Sequence, residues 1–325
     1  MSAAKKAPKR APKSKPRIAA DLLPGGEDVP FAEIEVTLAR LVREGRRRKR
    51  GPARAATATV IVVGKPERLV AAADALERLS ESGGVRAILI SEGEHTSPVA
   101  RVTEHAIAIS GLAPRYLNNA VAALRLSSLP AVVWWRGGSV EALDGLAHLA
   151  DRLILDTPDP DTVWARADTL FERTALSDLR WTALTRWRAA VAHCFDLAQV
   201  RRDAASIRSL TIETRDPFAA RLFAGWLRSR LRWSSSVEIG IRLVNKGEAT
   251  SPLVSVKLSG AAIAMSLELN RRSCLEATVE GSEGVTRIVP LGDGTLGSLI
   301  GEELGVRIRD IAFEEALVAA REISV

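Results

Sequence analysis

TATVIVV at residues 57–63 is small or β-branched throughout and apolar without interruption from Val60 onward. A strand that faced water on one side would alternate; a continuous apolar run of this length describes a strand covered on both faces. The flanking sequence fits that reading. Pro66 suits the first position of a helix running to about Ser82, with Leu69, Ala73, Leu76 and Leu79 turned inward, and Gly83-Gly84 ends it. A second buried strand is expected over 85–90 and a third over 99–110, with a polar loop at 92–97 between them. Upstream, 31–50 reads as an amphipathic helix carrying Ile34, Leu38, Leu41 and Val42 on one face. Downstream, a helix at 114–128, a strand at 131–135, a helix at 140–149, a strand at 153–155 and a helix at 161–173 continue the alternation. This is the pattern of an α/β fold, a mostly parallel Rossmann-like sheet covered by helices, with 99–110 as its possible antiparallel member.

The second half reads differently. Residues 207–214 alternate apolar and polar, 217–232 form a helix, and strands follow at 237–244, 253–258, 261–269, 274–280 and 286–290 before two helices near 295–304 and 308–322. Gly260 and Asn270-Arg271 suit turns. Consecutive strands flanked by helices predict an α+β domain with an antiparallel sheet. The expected organisation is a disordered basic tail at 1–29, an N-terminal α/β domain at 30–175, a bridging helix within 176–200 and a C-terminal α+β domain at 201–325.

Bulk composition narrows the function. The formal charge of +7 is concentrated in Lys5, Lys6, Lys9, Arg10, Lys13, Lys15 and Arg17; setting these seven aside leaves 39 basic residues against 39 acidic ones. Nucleic-acid binding would therefore rest on this tail, helped by the basic run from Arg46 to Arg50, and would weaken steeply with salt. No apolar run approaches the roughly 18 residues that span a bilayer, and no apolar segment follows the basic start, so no membrane contact is expected. Two cysteines, Cys194 and Cys274, make no disulfide framework, which points to the cytoplasm.

Familiar catalytic constellations are missing. The first strand runs into Gly64-Lys65-Pro66-Glu67, with neither GxGxxG nor GxxxxGK[ST]. His95, His105, His148 and His193 are scattered, CxxC and GxSxG are absent, and Asp151, Asp156, Asp159 and Asp161 read as salt-bridge and helix-cap residues. No cofactor, metal or catalytic residue is assigned, and an enzyme is not expected. A small-molecule sensor or degenerate α/β enzyme would use the strand ends near Gly64, Ser91, Arg136 and Asp156.

Seven tryptophans stand against one tyrosine. Trp134, Trp135 and Arg136 end an apolar strand; Trp181, Trp187 and Arg188 lie on the bridging helix; Trp226 sits on an Arg-rich helix. Trp with Arg is a composition typical of binding hot spots, and these seven residues are the candidates for partner contact. Packing between the two domains is the competing role for each tryptophan.

The segments ARAATATVIVV (53–63), LPAVVWWRGG (129–138), ADRLILDTPDPD (150–161), DLRWTALTRWR (178–188) and FAGWLRSRLRW (223–233) resemble, in order, the OpcA family of bacterial glucose-6-phosphate dehydrogenase assembly proteins. The likeness covers about residues 30–320. It implies an accessory protein that binds glucose-6-phosphate dehydrogenase, promotes its active oligomer as an allosteric activator, and supports NADPH supply through the pentose phosphate pathway. It carries no catalytic residues over, and the two distant cysteines give no ground for thioredoxin-linked control.

Overall fold

The computed structural model describes residues 21–48, 56–81, 84–93, 98–234, 236–244, 251–270, 272–280 and 285–324. The basic residues 5–17, Lys49 and Arg50, residues 94–97 of the polar loop and Arg271 lie outside them.

The first sheet holds eight strands: β1 (Glu27–Val29), β2 (Ala58–Gly64), β3 (Val85–Glu92), β4 (Val99–Val102), β5 (Ala106–Leu112), β6 (Ala131–Trp135), β7 (Arg152–Leu155) and β8 (Ala175–Asp178). Their spatial order is β1-β4-β5-β3-β2-β6-β7-β8, with β1–β4 and β4–β5 antiparallel and all other neighbours parallel. Numbering only the six parallel strands along the chain gives the order 3-2-1-4-5-6. That is the doubly wound arrangement of dinucleotide-binding sheets, whose winding reverses between β2 and β6. The helices on this sheet are α1 (Ile34–Arg48), α2 (Pro66–Glu81), α3 (Pro114–Leu124), α4 (Val140–Leu149), α5 (Asp161–Trp164) and α6 (Ala167–Phe171). Val60, Val62, Leu89 and Trp134 face α2; Ile61, Val63, Ile90 and Trp135 join the larger core on the other side.

The chain then forms α7 (Leu179–Ala183), α8 (Thr185–Phe195) and α9 (Ala198–Asp203) before the second sheet. This sheet contains β9 (Ile207–Thr214), β10 (Glu238–Leu243), β11 (Leu253–Gly260), β12 (Ala264–Leu269), β13 (Cys274–Glu280) and β14 (Val285–Pro290), in the order β10-β9-β11-β12-β13-β14. It is mixed rather than wholly antiparallel, because β9 and β10 pair in parallel across helix α10 (Pro217–Arg230) and the rest pair antiparallel. Leu210, Ile212, Val256, Leu258, Met265 and Leu267 turn to the helix-covered face, and most of the alternate positions are polar. Helices α11 (Leu296–Gly305) and α12 (Ile311–Ala320) follow.

Four further sequence expectations change. Residues 21–29 are built into the fold rather than the tail: Leu22 and Leu23 are buried and β1 pairs with β4, a three-residue strand too short for periodicity to reveal. The strand expected at 99–110 is a hairpin, β4–β5, turned without glycine because the Thr103 hydroxyl bonds both the N–H and the carbonyl of Ala106. The bridging helix is not one element. Residues 175–178 complete the first sheet, Asp178 caps α7 by accepting from the Arg180 backbone N–H, and α7 and α8 are separate helices meeting at Leu184. The helix expected at 161–173 is likewise split into α5 and α6. One further placement matters below: α11 follows the second sheet in sequence but packs Leu296, Leu299, Ile300 and Leu304 into the α2 side of the first.

Candidate functional site at the sheet switch point and domain junction

In a doubly wound sheet, ligands bind beyond the strand C-termini where the winding reverses, with phosphates on the following helix N-terminus. Here that place lies between β2 and β6. Gly64 ends β2 and occupies the first glycine position of a GxGxxG turn; the second and third would be Pro66 and Leu69. Pro66 has no N–H to offer a phosphate, Glu67 adds a negative charge at the helix start, and Leu69 is fully buried. A Cβ added to Gly64 would lie 3.1 Å from the Arg136 Cβ, so the turn abuts the loop after β6.

Arg136 bridges the gap itself. Its Nη1 donates to the Arg68 carbonyl at 2.9 Å, its Nε lies 2.8 Å from Asp156 Oδ2, and its guanidinium sits over Trp134 at 4.9 Å. Arg68 closes the triangle, with Nη2 2.7 Å from the Asp156 carbonyl and 3.1 Å from Oδ1. Burial raises the Asp156 carboxyl above its ordinary value against the pull of Arg136, Arg68 and Arg180, and burial lowers Arg136 against the pull of Asp156. The three side chains fill the switch point with mutually paired groups, so the residues present do not fit a dinucleotide.

A second polar cluster continues across the junction. Arg180 donates from Nε to Asp216 Oδ2 at 2.8 Å and from Nη2 to the Thr157 carbonyl at 2.9 Å; its Nη1 is 3.5 Å from Asp178 Oδ1. Asp178 is fully buried and also accepts from Trp164 Nε1 at 3.2 Å; burial raises its pKa, with Arg180 opposing. Asp216 caps α10 through the N–H groups of Phe218 and Ala219. Each carboxylate is met by a guanidinium, which suits a structural link between the sheets rather than proton transfer.

Glu92 is different. It ends β3, where an acidic side chain reads a ribose in dinucleotide-binding sheets. Its Oε2 accepts from the Ser139 N–H at 2.8 Å, at the start of α4, while Oε1 is buried without a hydrogen-bond partner. Burial pushes this carboxyl up, and nearby Glu141 pushes the same way.

The seven sequence candidates do not gather in one patch. Trp134 and Trp135 are buried on opposite faces of β6, and Arg136 is 7% exposed in the switch-point cluster. Trp181 is buried against Phe313 and donates to Asp310 Oδ2 at 2.8 Å. Trp187 is buried and donates to the Ser251 hydroxyl at 3.0 Å. Arg188 stacks on Trp181 at 3.5 Å and is lowered to about 10 by burial. Trp226 is half-buried beside Phe223. Six of these side chains therefore do packing and tethering work inside the chain. The residues that composition did not single out are Arg68, Asp178, Arg180, Asp216 and Glu92. Their signal is positional: each lies at a β-strand C-terminus or in the turn or helix start beyond one. Among the described residues, no three His, Cys, Asp or Glu side chains gather to hold a metal, and no helix is long and apolar enough to cross a membrane.

Residues 174–317 match a family described as the C-terminal domain of a glucose-6-phosphate dehydrogenase subunit. Three curated OpcA proteins are similar to this chain along with that domain. The chain is thus similar to the OpcA family, most specifically over residues 174–317. The OpcA of Synechocystis, named provisionally as an OxPP cycle protein, is 26% identical over 246 residues, covering 62% of this chain and 51% of that protein. The OpcA of Nostoc punctiforme, named in the same way, is 31% identical over 139 residues, covering 39% and 30%. The chain thus spans about half the length, or less, of the curated relatives it matches. Among solved structures, a point mutant of KijD10, a 3-ketoreductase from Actinomadura kijaniata in complex with TDP-benzene and NADP, aligns with a TM-score of 0.50 at 12% identity. The alignment covers 81% of this chain and 94% of that one, and the likeness is one of fold. The chain has this sheet architecture with its switch point filled.

Proposed function

We propose that this chain is a non-catalytic partner of glucose-6-phosphate dehydrogenase. It binds the enzyme, favours the active oligomer, and so supports NADPH formation by the oxidative pentose phosphate pathway in the cytoplasm. The observation that carries this reading is the match of residues 174–317 to a domain described as part of a glucose-6-phosphate dehydrogenase subunit. The filled switch point supports it: Arg136 and Arg68 both pair with Asp156 where a catalytic relative of this fold would hold its cofactor. Activation follows if the chain binds the assembled enzyme more tightly than its separate subunits, since a ligand shifts an equilibrium only by its differential affinity.

The test uses the purified chain and the glucose-6-phosphate dehydrogenase of the same organism. Co-purification, together with a larger enzyme assembly and a lower KM or higher activity, is the expected result. Absence of both binding and any kinetic change would refute the proposal.

A further inference from the structure

Exposed large apolar side chains are concentrated around the turn between α11 and α12. Ile308 is 76% exposed and Ile311 54%, with Val318 and Val306 also exposed. Ile311 and Val318 line a groove of about 440 Å³ with Phe171 and Ala319. Scattered apolar residues on a surface need no explanation, but a contiguous set marks a contact site.

The turn is also held from behind by buried groups. Arg152 is 5% exposed, and its Nη2 donates to the Ile308 carbonyl at 2.7 Å. Its Nη1 pairs with Glu303 at 3.4 Å, and Glu303 in turn accepts from the Thr182 hydroxyl at 2.6 Å. Trp181 donates to Asp310 Oδ2, and Asp310 caps α12 through the Phe313 N–H. Arg309 makes two 2.8 Å bonds to Glu314. Three members of the DLRWTALTRWR segment, Trp181, Thr182 and Thr185, thus donate to Asp310, Glu303 and Glu302. Most of that segment is buried, yet what it fixes is an exposed turn. Rigid display of an apolar side chain lowers the ordering cost of binding.

The charges around the turn narrow its partner. Glu314, Glu315 and Glu322, which border the groove, are paired with Arg309, Arg230 and Arg228. Arg307 is exposed beside Ile308 and, among the described residues, has no ion partner. Asp310, the turn's carboxylate, is occupied by Trp181 and the Phe313 N–H, so the charge the turn presents to solvent is the Arg307 guanidinium next to a projecting isoleucine.

We infer that the turn at 305–311, with Ile311 and Val318 of α12, is the surface on which glucose-6-phosphate dehydrogenase docks. Ile308 enters an apolar recess on the enzyme, and a carboxylate at the rim of that recess meets Arg307. This inference rests on the function proposed above, and the experiment separates the two. Affinity of the full chain for the dehydrogenase is measured first; lack of wild-type binding would overturn the proposed function itself. Given wild-type binding, I308D lowers affinity about 30-fold or more, the size of a central hot-spot loss. Its urea midpoint stays at the wild-type value, because an exposed side chain contributes little to folding. R307E also weakens binding, and the salt dependence of the remaining affinity falls. V36D, which alters the 70% exposed Val36 on α1, leaves affinity unchanged. The docking surface is overturned if I308D and R307E bind as wild type does, if V36D weakens binding as much as I308D, or if I308D alters only self-association of this chain.

Discussion

Replacing Arg152 by methionine tests how α11 and the turn after it are locked to the first sheet. Glu303 is 4% exposed and is held by one guanidinium at 3.4 Å and one hydroxyl at 2.6 Å. Removing the guanidinium strands a buried carboxylate, which costs about 3–5 kcal/mol. The 3.4 Å separation is long for a charge-assisted bond, so the lower end applies, about 3 kcal/mol. The Ile308 carbonyl loses its 2.7 Å donor as well, worth about 1 kcal/mol. R152M should therefore lose about 4 kcal/mol, a large share of the roughly 5–15 kcal/mol that holds a folded protein together. The double variant R152M/E303L removes both charges, and replacing a buried pair with apolar groups is close to neutral. It should retain the loss at Ile308 and that of the acceptor for the buried Thr182 hydroxyl, about 2 kcal/mol together. Urea unfolding followed by both tryptophan fluorescence and far-ultraviolet circular dichroism measures all three proteins and checks that the two probes coincide. The reasoning fails if R152M costs less than about 1 kcal/mol, or if the double variant is no more stable than R152M.

Other outcomes follow from single contacts. G225A should be less stable by about 1–2 kcal/mol. Its new Cβ would stand 2.3 Å from the Ala316 carbonyl oxygen, and the strain of forcing α10 from α12 outweighs the helix-propensity gain of about 1 kcal/mol; a raised melting temperature would contradict this. D216A should lose about 2 kcal/mol, since two α10 capping bonds and the Arg180 contact go together. D216N keeps the capping oxygen and should lose about half as much; equal losses in urea unfolding would remove the cap from the account. E92Q changes the pH profile. Burial raises the Glu92 carboxyl, so the folded chain holds that proton to higher pH than the unfolded chain, and wild-type stability declines as pH climbs from the ordinary carboxylate range through the raised value. The stability of E92Q relative to wild type should therefore increase across that window and level off above it. Urea midpoints between about pH 4 and 8 measure this, and a constant difference would refute it.

The parallel strands were legible because a strand covered on both faces has to be apolar at consecutive positions, as Val60 to Val63 and Ala131 to Trp135 are. Their spatial order was not. β6 lies beside β2 through backbone pairing of residues roughly 70 positions apart, and no side-chain pattern encodes that choice. The mixed character of the second sheet was hidden for a similar reason, since β9 and β10 pair in parallel only because α10 carries the chain back. At the candidate site the tryptophans drew attention through composition, but a large aromatic beside arginine serves a core or a surface equally well. Burial decides between them, and burial of Trp181 depends on Asp310, 129 residues away. The Arg68–Asp156 pair spans 88 residues and was out of reach for the same reason.

Helix α11 has a consequence for how the chain reaches its native state. It leaves the second sheet and lays Ile300 against α2, while Glu303 meets Arg152 across 151 positions and Thr182 across 121. Contacts this distant in sequence form late, after the entropy of closing very long loops has been overcome. During synthesis, the apolar side of α2 that α11 covers has to wait until the whole second sheet has been made. Throughout that interval Leu296, Leu299, Ile300 and Leu304 have yet to be made, and Leu76 and Leu79 of α2 lack their cover. The first sheet, although made first, is completed last, and the nascent chain is most prone to aggregation in the time between.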